Sequence, residues 1–280
     1  MNQNKSYPIV LSIAGSDSSG GAGIQADLKT FSALGVYGAT AITAITAQNT
    51  KGVNSQFALP PQMVYEQITA VIDDLNPAVV KIGMLSNTDI VNAVAEALGK
   101  YKLTIILDPV IVSTSGHRLL SVEAQDVIKE RLIPLSSLVT PNIPEMEALC
   151  GMPLGTLSEK RCAARHLLDL GAKAILIKGG HEEGDTKSDI LFTPSADGIQ
   201  TQTFTSDTIT TRNVHGTGCT LSSAITAFMA RGLDTADAIA EAKRYISEAI
   251  RCGADISIGS GFGPVNHGFN PLKMMIYEEQ

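Results

Sequence analysis

Cysteine is scarce in this sequence, with only four residues among 280. Because the four are dispersed and form no C-x-x-C pair, they argue against a zinc cluster or a disulfide framework and favour a reducing compartment. No apolar run is long enough to span a membrane, and the run at residues 8–14 is too short for a signal peptide. We therefore expect a cytoplasmic protein with no membrane partner.

Positive charge is also limited. The chain has 21 Lys and Arg against 28 Asp and Glu, a formal net charge of -7 at pH 7 and a pI near 5.2. This balance gives no general attraction to nucleic acid, so any contact with phosphate must be local. The sequence also lacks repeats and flexible linkers, and 44% of its residues are hydrophobic. We predict a single domain over residues 1–280.

Short β-rich runs alternate with helical patterns along most of the chain. The predicted strands cover residues 9–13, 39–47, 79–82, 103–107, 138–139 and 174–177, and the predicted helices cover residues 22–34, 62–75, 88–98, 122–132, 159–170, 218–231 and 235–252. This order predicts an α/β fold with a mainly parallel sheet, helices on both faces and ligands at the carboxyl ends of the strands. Residues 188–205 predict an antiparallel hairpin at the sheet edge.

The run from Asn213 to Thr220 carries the strongest functional signal. Two glycines, Gly216 and Gly218, stand where a long helix begins. The first N–H groups of a helix lack intrahelical partners and lie at the positive end of its dipole, so they bind phosphate well. Cys219 is placed to face whatever reacts at that phosphate. We interpret this run as a phosphoryl-transfer site.

His215 and Cys219 lie four residues apart, which leaves a second interpretation open. A Cys–His nucleophile pair would make the protein a Cys-dependent hydrolase. The helix start is expected to lower the pKa of the thiol. We prefer Cys219 as a general base or aligner of a substrate hydroxyl, because the surrounding motifs describe nucleotide binding. The other histidines show no metal-ligand spacing.

A glycine-rich segment at residues 14–23 follows the first predicted strand. Its N–H groups are expected to point at a ligand, although it matches neither a Walker A loop nor the dinucleotide pattern. The alternative is a β-α turn that merely connects. Asp27, one turn into the helix, is expected either to accept a hydrogen bond from a substrate hydroxyl or to complement the helix dipole. Gln48 is either a reader of an aminated ring or a polar strand end.

Three further strand ends carry polar groups, at Asp108, at residues 140–145 and at Lys178. Carboxylates beside an asparagine suit hydrated Mg²⁺, and a lysine after a strand can neutralise phosphate charge. Individually, Asp108 could be a helix cap, Glu145 a solvated residue and Lys178 a surface charge. Their coincidence at one predicted sheet edge favours a Mg·ATP site.

These motifs, in this order, resemble one family closely. The residues that carry the resemblance are 14–27, 81–84, 107–110, 140–145, 178–181 and 215–220. The chain resembles the hydroxymethylpyrimidine/phosphomethylpyrimidine kinases of thiamine biosynthesis, in the ribokinase-like superfamily. The resemblance implies a three-layer α/β/α fold and a homodimer. It also implies ATP-dependent phosphorylation of 4-amino-5-hydroxymethyl-2-methylpyrimidine and then of its monophosphate.

The resemblance also assigns site residues. It implies a pyrimidine pocket at Gly15, Asp27, Gln48, Met84 and Val110, with Gln48 on the aminopyrimidine edge. It implies a Mg·ATP site at Asp108, Thr140, Asn142, Glu145, Lys178 and Gly180, with Asp108 and Glu145 as the metal ligands. It implies an anion hole for the transferred group at Gly216, Thr217, Gly218 and Cys219.

Cys219 occupies a position that is usually Asp in the wider superfamily, which disfavours a sugar substrate. Some related pyridoxal kinases also carry Cys here, so vitamin B6 compounds remain the alternative substrates. The segment 112–117 aligns with a cover over the substrate, and its lack of Cys favours the pyrimidine. A ligand-binding module without catalysis is a further possibility, because a fold does not fix a function.

Overall fold

The computed structural model describes residues 5–112, 116, 119–180 and 184–278. The strands are β1 (Lys5–Ser6), β2 (Ile9–Asp17), β3 (Tyr37–Asn49), β4 (Gly52–Ala58), β5 (Val79–Ile82), β6 (Thr104–Leu107), β7 (Leu138–Val139), β8 (Ile175–Ile177), β9 (Thr186–Ser195), β10 (Gly198–Asp207) and β11 (Tyr277–Glu278). The α-helices are α1 (Gly23–Ala33), α2 (Pro61–Leu75), α3 (Thr88–Leu98), α4 (Val122–Arg131), α5 (Ile143–Cys150), α6 (Leu157–Asp169), α7 (Thr217–Ala230) and α8 (Thr235–Gly253).

Nine of these strands form one sheet in the order β10-β9-β8-β7-β6-β5-β2-β3-β4. The six strands from β8 to β3 are parallel to one another. Antiparallel strands close both edges, with β9 and β10 at one and β4 at the other. β1 and β11 pair separately as a short ribbon. The mainly parallel sheet and its antiparallel edge hairpin are confirmed.

The sheet separates two apolar layers. Successive residues of a strand point to opposite faces, so Val10 and Leu11 of β2 belong to different layers. Helices α1, α7 and α8 cover the face that Val10 reaches, and α2 to α6 cover the other. The predicted three-layer α/β/α class is therefore confirmed. Among the described residues, none of the helices combines the length and the apolar character that a membrane crossing requires.

The structure departs from the sequence expectations at particular elements. The edge strand β4 was not predicted, because its polar, half-exposed residues lack an apolar alternation. The helix α5 was also not predicted, although Asn142 and Glu145 form a capping box at its start. β2 runs four residues beyond its predicted end. Past a bulge at Ala14, Ser16 and Asp17 continue to pair with β3.

Candidate active site

A cavity of about 490 Å³ opens at the carboxyl ends of the parallel strands, where the strand order predicts ligands to gather. The predicted site residues that line it are Gly15, Gln48, Met84, Asp108, Val110, Asn142, Glu145, Lys178, Gly180, Gly216, Thr217, Gly218 and Cys219. Two others, Asp27 and Thr140, are fully buried and lie outside the lining. Apart from Asp27 and Thr140, the predicted pyrimidine and nucleotide residues thus share one cavity.

Helix α7 begins in this cavity without a side-chain cap and without an acidic residue in its first turn. Gly216 is its N-cap in a left-handed conformation with φ of 79°, and a Cβ there would collide with the carbonyl oxygen of Gly21. Within the described chain, the N–H groups of Gly218 and Cys219 donate to no protein acceptor. Two unpartnered amides at the positive end of a helix form an anion site.

Lys178 faces this helix start across a gap. A Cβ built on Gly218 would lie 3.5 Å from Lys178 Nζ and would meet no backbone atom within 4 Å. The ammonium group lies 2.7 Å from Asp108 Oδ1 and 3.8 Å from Glu145 Oε2. Burial alone would lower the pKa of Lys178, but the two carboxylates outweigh it and raise that pKa. A permanent positive charge therefore stands opposite the free amides.

The pKa values of Asp108 and Glu145 are shifted in opposite directions. Burial alone would raise the pKa of Asp108, but Lys178, Lys81 and the Ser222 hydroxyl hold it below its usual value. The pKa of Glu145 is raised to about 7, chiefly by burial, with a further contribution from the Asp108 charge. Burial thus disfavours the charged form of this carboxylate, and a nearby cation would favour it.

The Asn142 amide is engaged in local structure. Its Oδ1 accepts the N–H of Glu145 at 2.8 Å, and Glu145 Oε2 accepts the N–H of Asn142 at 2.8 Å. These are the two bonds of the α5 capping box. Thr140 Oγ1 donates to Asp108 Oδ1 at 3.2 Å and is fully buried. Asn142 and Thr140 therefore position the carboxylates of the cavity.

The glycine-rich loop after β2 does not offer its amides to a ligand as expected. The N–H groups of Ser19, Gly21 and Ala22 donate to the Asp17 carboxylate at 2.8, 3.1 and 2.9 Å. His215 Nε2 lies 2.8 Å from the same carboxylate. Burial alone would raise the pKa of Asp17, but these hydrogen bonds outweigh it and hold the pKa below its usual range. The expectation of a ligand-facing loop is wrong for these three amides, because Asp17 occupies them.

Asp27 is also placed differently from its prediction. Its side chain is fully buried, and Lys81 Nζ lies 2.8 and 2.9 Å from its two oxygens. Hydroxyls of Ser12 and Ser223 donate to them at 2.5 and 2.6 Å. With its acceptor sites filled, this carboxylate does not receive a substrate hydroxyl, and that expectation is wrong. Asp27 instead holds α7 in place by accepting the hydrogen bond from the Ser223 hydroxyl.

Lys81 is a residue of the site whose role was not predicted from the sequence. Its side chain has no exposed area, and it lies in β5 among apolar residues. The sequence did carry a signal, since a lysine inside an otherwise apolar strand must be buried, and a buried lysine needs an acidic partner. The roles of Asp17 and His215 in holding the loop were missed as well.

The surroundings of Cys219 favour the neutral form of its thiol. Burial raises its pKa to about 11, with contributions from the Asp27 and Asp108 charges, against lowering by Lys81 and the Gly23 backbone. The expected lowering by the helix start is therefore wrong, because loss of water outweighs it. His215 pairs with Asp17, which also removes the partner that a Cys–His nucleophile requires.

The expected substrate cover at residues 112–117 lies mostly outside the described residues, as does His181. Of that segment the structure describes Val112, which lines the cavity, and Gly116. Lys243 of α8 and Asp189 of β9 also line the cavity and pair with each other at 2.7 Å. The Gly179 N–H donates to the same carboxylate at 2.9 Å. This pair links the hairpin to the segment that carries Lys178.

Comparisons with known proteins agree with this geometry. The family model described as phosphomethylpyrimidine kinase matches residues 17–266. A hydroxymethylpyrimidine/phosphomethylpyrimidine kinase of Escherichia coli is 47% identical over 259 residues, which cover 92% of this chain and 96% of that protein. A bifunctional thiamine biosynthesis protein of Geobacter sulfurreducens is 48% identical over 92% of this chain, which spans only 52% of that longer protein. The ADP complex of a Bacillus subtilis pyridoxal kinase has a TM-score of 0.85 at 35% identity, covering 94% of this chain and 98% of that one.

Proposed function

The chain belongs to the phosphomethylpyrimidine kinase family and is a phosphotransferase, and we propose that it transfers phosphoryl groups at the start of α7. Its substrates are 4-amino-5-hydroxymethyl-2-methylpyrimidine and then the monophosphate of that alcohol, with ATP as donor, in thiamine biosynthesis. The observation that carries the proposal is the pair of free amides at Gly218 and Cys219, facing the Lys178 ammonium. The ribokinase-like fold agrees with the structural neighbours.

The site acts mainly by positioning and electrostatics. The free amides of α7 hold the γ-phosphoryl group, and Lys178 offsets the charge that develops on it. Cys219 aligns the attacking hydroxyl as a neutral thiol, since a pKa of about 11 makes it a poor base at neutral pH. Gln48 holds the aminopyrimidine edge, and Gly15 and Met84 line the same cavity.

The carboxylates fit a hydrated Mg²⁺ ion. Asp108 and Glu145 both line the cavity and both lie near Lys178. No group of three or more His, Cys, Asp or Glu that could enclose a metal occurs in the described ranges. Mg²⁺ often keeps several waters and is held by one or two carboxylates together with substrate phosphates. Bound there, the ion would neutralise phosphate charge, and Asp108 and Glu145 would hold it.

Pyridoxal is the second candidate substrate. The solved pyridoxal kinase has a closely similar fold, and the segment that would distinguish the two lies mostly outside the described residues. Side-by-side turnover with the pyrimidine alcohol, its monophosphate and pyridoxal decides between them. We expect the pyrimidine alcohol to have the highest kcat/KM. A higher value for pyridoxal would contradict the proposal, and turnover of none would contradict kinase activity.

We further propose that the protein is a cytoplasmic homodimer. The homodimer rests on the resemblance to the family, and the cytoplasmic location rests on the dispersed cysteines, which favour a reducing compartment. Sedimentation at micromolar concentration tests the dimer. A monomer at that concentration would contradict it.

Replacing Cys219 by alanine is expected to reduce kcat at least about tenfold, because a misaligned hydroxyl loses its near-attack geometry. The KM for the pyrimidine should change less than about threefold, since the amino edge is held elsewhere. A coupled ADP assay measures both constants. The matched variant Cys219→Ser keeps a small polar group and should retain more activity. Unchanged kcat in Cys219→Ala would contradict the aligning role.

Replacing Gln48 by alanine is expected to weaken pyrimidine binding at least about tenfold, since the ring's polar edge loses its partner. ATP binding should be unchanged, because the Gln48 side chain contacts Thr46 and His215 and is not hydrogen-bonded to Asp108, Glu145 or Lys178. Calorimetry with each ligand separately measures both affinities. Equal losses for the two ligands would count against the pocket assignment.

A further inference from the structure

Lys178 is held by its neighbours at three points. Its ammonium group lies 2.7 Å from Asp108 Oδ1, and its backbone N–H donates to the Pro141 carbonyl oxygen at 2.8 Å. The third point is the peptide that follows it, because the buried N–H of Gly179 donates to Asp189 Oδ1 at 2.9 Å. The backbone of Lys178 is therefore fixed on both sides, and the second side depends on one carboxylate.

The strand register brings Asp189 to this peptide. Strand β9 runs antiparallel to β8, and Ile177 and Ile190 form the last pair of the two strands. Asp189 is the next residue of β9, opposite the point where β8 has ended. Its carboxylate supplies the acceptor that the ended strand pairing no longer gives to the Gly179 N–H.

A lysine from another element holds that carboxylate. Lys243 of α8 lies 2.7 Å from Asp189 Oδ2, so each carboxylate oxygen has its own partner. Both side chains of this pair are at least nine-tenths buried. A buried ion pair adds little stability over apolar residues of similar shape. Folding alone therefore gives no reason for two charges here, whereas the pair does fix the acceptor of the Gly179 N–H.

We infer that Asp189, held by Lys243, is a positioning residue for phosphoryl transfer. Its carboxylate fixes the Gly179 peptide and so places the Lys178 ammonium opposite the free amides of α7. The inference rests on the proposed function, in which that ammonium offsets the charge of the transferred group. It extends the working parts of the site to β9 and α8, and neither Asp189 nor Lys243 is required to touch a substrate in this role.

Two double variants test whether the acceptor itself matters. Lys243→Met with Asp189→Asn removes both charges but leaves an amide oxygen that can accept the Gly179 N–H. Lys243→Met with Asp189→Leu removes the same charges and fills a similar volume, but it has no acceptor. Because the two variants carry the same net charge, a difference between them reports the hydrogen bond and not the field of the ion pair.

The asparagine variant should keep kcat within about threefold of the unsubstituted protein, since its amide oxygen replaces the carboxylate oxygen. The leucine variant should lose at least about tenfold in kcat, because a small displacement of a positioned group is costly in rate. Its KM for the pyrimidine should change less than about threefold, since Lys178 acts on charge that develops in the transition state. A coupled ADP assay gives both constants, and thermal unfolding shows whether each variant is folded at the assay temperature.

Arg161→Met is the matched control for general loosening of the β9–β10 hairpin. Arg161 of α6 donates to the Ile199 carbonyl oxygen at 2.7 Å, so it holds the same hairpin near its turn. Ile199 lies about 17 Å along β10 from Phe204, which is the partner of Asp189. This variant should have a lower melting temperature and an unchanged kcat, because the hydrogen bond of Gly179 is intact.

Equal kcat values in the two folded double variants would overturn the inference and leave the kinase assignment standing. A loss of kcat in Arg161→Met as large as that in the leucine variant would also overturn it, since loosening of the hairpin would then be the cause. Absence of turnover in the unsubstituted protein would instead overturn the proposed function. If the leucine variant does not fold, Lys243→Met with Asp189→Ala makes the same comparison with a smaller side chain.

Discussion

Replacing Gly218 by alanine is expected to abolish most phosphoryl transfer while leaving the fold intact. The added methyl group would stand 3.5 Å from Lys178 Nζ, in ordinary contact and clear of the backbone. It would fill the gap where the transferred group must lie. Displacement of that group by about 1 Å costs on the order of 100-fold in rate, so kcat/KM should fall at least that far. The melting temperature should hold or rise, since alanine favours helix over glycine.

Gly216→Ala is the matched control for this prediction. That glycine has a φ of 79° and no room for a Cβ beside Gly21, so alanine there should lower both activity and the melting temperature. A coupled ADP assay and thermal unfolding on both variants make the comparison. If Gly218→Ala retained full kcat/KM, the gap between α7 and Lys178 would not be the transfer site.

Replacing Lys178 by methionine is expected to lower both kcat and the stability of the protein. The ammonium group is the charge that faces the free amides of α7, and it is held there by Asp108 at 2.7 Å. Removal of one preorganised donor to a developing charge costs about 100-fold to 1,000-fold in kcat, and we expect a loss in that range. The variant should also be less stable, because Asp108 is left buried without its partner.

The double variant Lys178→Met with Asp108→Asn separates those two effects. Neutralising Asp108 removes the unpaired buried charge, so most of the lost stability should return while kcat stays low. Chemical unfolding gives the first quantity, and steady-state kinetics give the second. An unchanged kcat in the single variant Lys178→Met would show that Lys178 acts only as a structural partner of Asp108.

The main elements of the fold could be predicted because their signals are local. Val79–Ile82 and Thr88–Leu98 have the predicted bounds, since an apolar strand run and an apolar helical period end there abruptly. β4 was missed because an edge strand with one solvated face needs no apolar alternation of its own. Its pairing with β3 is a tertiary contact that the segment does not encode alone.

The site residues also differ in whether their geometry depends on local sequence or on tertiary contacts. The start of α7 and Lys178 lie in one cavity, as expected, because glycines before a helix and a lysine after a strand are local signals of position. Their roles in phosphoryl transfer stay predictions. The prediction failed for Asp27 and for the glycine-rich loop, whose hydrogen-bond partners come from distant parts of the chain. Ser223, for example, reaches Asp27 across 196 positions. The predicted direction of the Cys219 pKa shift was wrong for a related reason, because burial is a property of the assembled site.

A crystal structure of the protein with a non-hydrolysable ATP analogue, Mg²⁺ and the pyrimidine alcohol tests the central claim most directly. We expect the terminal phosphoryl oxygens within hydrogen-bond distance of the Gly218 and Cys219 amides and of Lys178 Nζ, with the alcohol oxygen on the Cys219 side. A terminal phosphoryl group bound away from the start of α7, with those amides left to water, would contradict it.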